Sequence, residues 1–159
     1  MTPIAAIVAD KLRVRGIRLV RDDMPASLKP GMIVWGTGVP PMIVVDRDVQ
    51  DPKELAEVSM HEIVHYDRGD GFLPNEAAET AARRGTLICC ASVDRLAQAY
   101  AAGCREPEEY SEMLGVPERT CAGALALLRE MFGSQVVRIG GWVCAFDPFS
   151  ARVANRHDD

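Results

Sequence analysis

Residues 61–65 read His-Glu-Ile-Val-His, and residue types in that order suit one kind of chemistry. On a helix, His61 and His65 stand one turn apart, so both imidazoles can converge on a single cation. Glu62 lies about 100° round the helix from His61, near enough to reach a water beside the cation without ligating it. Neutral imidazoles leave the charge of the ion intact, and zinc lowers the pKa of its water to about 7. Glu62 can then take the proton of that water as general base and later deliver it to a leaving amine. The only other histidine is His157, in a polar tail, so a carboxylate is expected to complete the ligand set. Glu76 is the preferred third ligand and Glu79 the alternate, with Asp67 and Asp70 as outsiders. An acidic residue in a first helical turn also complements the helix dipole, and one of the two glutamates is expected to do only that. Zinc is the default ion for two histidines and a glutamate, although Mn2+ or Fe2+ can occupy similar sites.

The surrounding residues must hold these groups in place. Ala56, Met60, Ile63 and Val64 recur at i, i+4, i+7 and i+8, which gives the same helix an apolar back opposite its ligand-bearing front. Asp51 is placed to cap that helix, with Pro52 at its first position, and DRGDGFLP ends it. Upstream, residues 3–15 read as a short helix with Ile4, Ile7, Val8 and Leu12 on one side. Extended candidates come next at Ile17–Val20, Met32–Trp35 and Met42–Val45, the last two joined through GTGVPP. Met42–Val45 is the candidate to offer an open edge to an extended peptide. Downstream, a long helical region begins near Asn75, with Gly85 weakening its middle. Further helices start at Ser92, Pro107 and Pro117, and two short strands are expected at Val136–Ile139 and Trp142–Ala145. The polar end, RVANRHDD, is expected to fray.

The segment Val58–Arg84, with HEIVHYDRGD and then NEAAETAAR, resembles the ImmA/IrrE-type metallopeptidases of phages, mobile elements and bacterial stress circuits. That family carries HExxH on one helix and, on the next, a Glu one turn before an Asn or Asp. Glu76 with Thr80 fits that register, with Thr80 standing where the family has Asn or Asp. The resemblance is specific over about 30 residues and looser over 17–60 and over 107–131, where PEEYSEMLGVPERTCAGALALLREM resembles a helix-turn-helix. It implies an α+β, zincin-like fold, with a small antiparallel or mixed sheet packed on the HExxH helix and a mostly helical C-terminal half. It also implies a zinc-dependent endopeptidase whose partner is a helix-turn-helix repressor, cleaved to relieve repression. The expected division is a catalytic core over 1–103 and a helical portion with short terminal strands over 104–159, packed on the same core.

Composition narrows the rest. Apolar residues make up 48% of the 159 and charged residues 26%, an ordinary globular balance. No run approaches the roughly 20 apolar residues of a membrane span. MTPIAAIVADKLRVRG lacks the pattern of an export signal, so a cytoplasmic protein with no membrane partner is expected. Five cysteines with no CxxC pair fit buried thiols better than a disulfide framework or a cysteine zinc module. A net charge of −5 disfavours nucleic acid as a partner. Two alternatives to proteolysis remain, a regulator that docks to a repressor without cutting it and a DNA-binding regulator acting through residues 107–131.

Overall fold

The computed structural model describes residues 1–158 and divides the chain into two compact units, Thr2–Thr86 and Leu87 onward. In the first, Ile4–Arg15 forms α1, which buries Ile4, Val8 and Leu12 and ends at Gly16 in the left-handed conformation. Strands β1 (Arg18–Asp22), β2 (Gly31–Gly36) and β3 (Val39–Asp46) build a sheet in the order β1-β3-β2. The tight turn at Thr37 and Gly38 makes β2 and β3 an antiparallel hairpin, while β1 runs parallel to β3 on its other side. Met42–Val45 therefore lies in the central strand, not at an open edge. Within it Ile43 and Val45 are fully buried while Met42 and Val44 are only partly so. The edge is β2.

Helix α2 (Pro52–Arg68) begins where Asp51 accepts a hydrogen bond from the Lys53 N–H, and Gly69 ends it in the left-handed conformation. Met60 and Ile63 are buried, α2 packs on α1, β2 and β3, and Arg15 clamps Asp67 with two hydrogen bonds of 2.6 and 2.7 Å. Helix α3 (Glu76–Cys90) starts at Asn75, whose side chain accepts from the Ala78 N–H. It continues unbroken through Gly85. A side chain there would come within 3.0 Å of Val64 Cγ1, so the glycine allows α2 and α3 to approach closely.

Gly31 does the same for the sheet. A Cβ on it would meet Val58 Cγ1 at 2.7 Å and the Val44 carbonyl oxygen at 3.2 Å. Gly31→Ala is expected to push β2 off α2 and destabilise the protein by about 1–3 kcal/mol, the usual penalty for overpacking. A denaturant midpoint unchanged by that substitution would show that the contact yields freely.

The second unit contains α4 (Val93–Ala101), α5 (Pro107–Leu114) and α6 (Glu118–Phe132), then β4 (Val136–Ile139), β5 (Trp142–Phe146) and β6 (Phe149–Val153) in an antiparallel meander. The division falls at residue 86 rather than 103 because α4 packs on α5 and β6 and so belongs with the C-terminal elements. Two corrections concern the tail. Phe149–Val153 is a third strand, paired with β5 across the turn at Asp147-Pro148, and the residues after it are tied down by Arg152 on Asp158 at 2.6 Å. Helix α6 turns Cys121, Ala124, Leu127 and Leu128 into the core of its unit. None of the five cysteines forms a disulfide among the described residues, and four of them are buried. The arrangement is α+β, and among the described residues no helix is long and apolar enough to cross a membrane.

Candidate metal centre

The two imidazoles of α2 meet at their edges. His61 Nε2 and His65 Nε2 are 3.0 Å apart, with ring planes nearly perpendicular. From α3, Glu79 brings one carboxylate oxygen to 3.1 Å from His61 Nε2 and the other to 3.2 Å from His65 Nε2. His61, His65 and Glu79 are thus the residues among those described whose ligand atoms could hold one ion. Glu76 is not part of this group. As the first residue of α3 it is exposed to water, where it complements the helix dipole. Glu79, almost one turn deeper, reaches the imidazoles. The loop between α2 and α3 sets this phase, and residues 75–80 alone do not reveal it.

Hydrogen bonds on the far side of each ring decide what the near side offers. The Thr86 hydroxyl donates to the Ala82 carbonyl at 2.7 Å, so its oxygen accepts the Nδ1–H of His61 at 3.2 Å. Asp70 accepts the Nδ1–H of His65 at 2.8 Å. With both protons placed on Nδ1, each Nε2 presents a bare lone pair. Two lone pairs and a carboxylate then converge with no donor between them, an arrangement that repels itself unless a cation is shared. Zinc bonds of about 2.0–2.1 Å in tetrahedral array set donors roughly 3.3 Å apart, close to the spacing here. The residues fit the ion. Burial, reinforced by the neighbouring His65, also pushes His61 below its usual pKa and favours its neutral form.

Glu62 lies beside this group without joining it. It is buried, and burial pushes its carboxyl up to about 7, while the Ile33 backbone N–H donates a hydrogen bond to it. A group titrating near neutrality can both take and return a proton. Glu62, His65 and Glu79 line a cleft whose walls are residues 27–29, 31–33 and 71–74. The other sequence candidates lie elsewhere. Asp67 is held by Arg15 at 2.6 Å. Asp70 serves as partner of a histidine rather than as a ligand. Burial opposes its ionisation, yet hydrogen bonds from His65 and Arg68 hold it below the usual carboxylate range.

The supporting roles of Asp70 and Thr86 are not legible in the sequence, although Thr86 carries one signal. Glu79, Ala82 and Thr86 recur at i, i+3 and i+7 on one face of α3. Partners of this kind typically contribute about 10–100-fold in metal affinity. Asp70→Ala is expected to weaken zinc binding within that range, with Thr86→Val nearer its lower end, as read by competition with a chromophoric chelator. Equal affinities in all three proteins would show that ring orientation does not depend on these bonds. Comparisons with protein-family models, curated proteins and solved structures give no match for this chain, so its chemistry rests on the geometry of these side chains.

Proposed function

We propose that this chain is a zinc-dependent endopeptidase of zincin-like build, akin to the ImmA/IrrE-type enzymes, that cleaves a helix-turn-helix repressor. The observation that carries the reading is the pairing of an acceptor-only cluster, His61, His65 and Glu79, with a buried carboxylate, Glu62, in the same cleft. A structural metal site gains nothing from Glu62; a hydrolytic one requires it. Held by the three ligands, zinc supplies Lewis acidity, polarising a carbonyl and acidifying water. Glu62 takes a proton from the attacking water as its oxygen bonds to the peptide carbon, and returns it to the amine nitrogen as the C–N bond breaks. Strand β2 supports the approach of an extended backbone. The Pro30 carbonyl accepts from Asp46 and so faces β3, whereas the Ile33 N–H points away toward Glu62. By alternation, the outward N–H and carbonyl of Gly31 and the carbonyl of Ile33 lie along the cleft, where a peptide can pair as an added strand, while the Ile33 N–H is taken by Glu62.

The resemblance over Val58–Arg84 supplies the partner class. The test is incubation of the zinc-loaded protein with a repressor encoded beside it. Discrete fragments, suppressed by a chelator and restored by added zinc, are the expected result. A stable complex without fragments would replace cleavage by docking, and salt-sensitive duplex binding independent of metal would point to DNA.

A further inference from the structure

The cleft carries an apolar wall that the hydrolytic chemistry does not use. Phe72 and Leu73 are adjacent, 54% and 71% exposed, and both line the cleft with Pro74. Leu28, Met32 and Ile33 contribute apolar surface from the β2 side. The loop bearing Phe72 and Leu73 is fastened at both ends. Asp70 bonds to His65 and Arg68 at its root, and the Asn75 side chain caps α3 at its other end. It therefore presents two large apolar side chains to water beside the candidate ligands, where solitary exposed apolar residues would need no explanation. The cleft as a whole offers about 140 Å³, shared between this apolar wall and the side of Glu62, His65 and Glu79. The charges of the cleft argue against an acidic occupant. Lys29 is paired with Asp48 at 2.9 Å, and Glu62 and Glu79 repel an acidic side chain.

We propose that Phe72, Leu73 and Pro74, with Leu28 and Met32, form the specificity subsite, and that the substrate is an extended polypeptide with a bulky apolar side chain beside the scissile bond. This rests on the metallopeptidase reading above, and the test separates the two. The zinc-loaded full chain is given peptides that differ only at one residue flanking the scissile bond, on either side in turn. Leu or Phe is expected to raise kcat/KM about 10–100-fold over Ala, the range one subsite commands. In the double variant Phe72→Ala, Leu73→Ala that ratio falls to within about threefold. Leu73→Asp turns the preference toward Lys. A second arm needs no turnover and compares the binding of an isobutyl-bearing hydroxamate with that of its glycyl counterpart. The isobutyl compound is expected to bind at least about 10-fold more tightly to the wild type, but not to the double variant. Equal affinities, or a preference that survives in the double variant, would overturn the subsite. If no peptide is cut while the hydroxamate preference stands, the proteolytic reading fails and the subsite is upheld.

Discussion

Zinc affinity falls by more than about 100-fold when Glu79 is replaced by alanine, and stays within about twofold of wild type when Glu76 is replaced. The bound rests on what a partner one step removed from a metal contributes, about 10–100-fold, which a direct ligand must exceed. Both glutamates lie in the first turn of α3, so helix propensity and the dipole affect the two substitutions alike. Only Glu79 has its oxygens 3.1 and 3.2 Å from the two Nε2 atoms. Competition with a chromophoric chelator at constant pH measures both. If the Glu76 variant lost the metal instead, α3 would have to sit in a different phase against α2, and the hydrogen bond from His61 to Thr86 could not form as described.

Glu62→Gln is expected to keep full zinc stoichiometry and to lower kcat/KM for a cleavable peptide by about 100- to 10,000-fold, the range general acid–base catalysis supplies. The substitution preserves shape and leaves the Ile33 N–H an oxygen to bond. It removes the proton acceptor and nothing else. Because burial disfavours the charged carboxylate here, the amide also suits the pocket at least as well, so the variant should be no less stable than wild type. Cleavage that persists undiminished in the variant would show that another group activates the water.

How far the site can be read from sequence depends on how local each contact is. His61, Glu62 and His65 lie within five residues of one helix, where a spacing of four alone brings two side chains together. The apolar stripe through Met60 and Ile63 orients the helix for the same reason. The third ligand is harder. Glu76 and Glu79 are separated by almost one turn, and choosing between them requires the path of residues 69–75, which carry two glycines and a proline and obey no periodicity. Asp70 illustrates the limit from the other side. Its chemistry qualifies it as a ligand, but its distance from the cation depends on the left-handed turn at Gly69 that aims it at the outer nitrogen of His65.

The sheet shows a similar contrast. The β2–β3 hairpin is legible in the Thr37-Gly38 turn, whereas the crossing that carries β2 past β3 to the edge involves residues distant in sequence. The apolar run Met42–Val45 does not reveal it, because such a run reports which faces of a strand are covered and not which strands pair with it. Strand β6 is hidden because Phe149–Val153 mixes Ser and Arg with apolar residues; only its pairing with β5 brings Phe149 against Phe146, with ring centroids 5.7 Å apart.

A strand at the rim of a sheet accepts backbone only in stretched form. Under the proposed reading, a helical target would have to unravel at the segment to be cut before it could lie along β2, and turnover would be throttled by the target's own local melting. When refolding outpaces cutting, each roughly 1.4 kcal/mol of added stability in that segment slows its destruction about tenfold. Whatever loosens the partner would then switch its degradation on, with no change in the proposed peptidase.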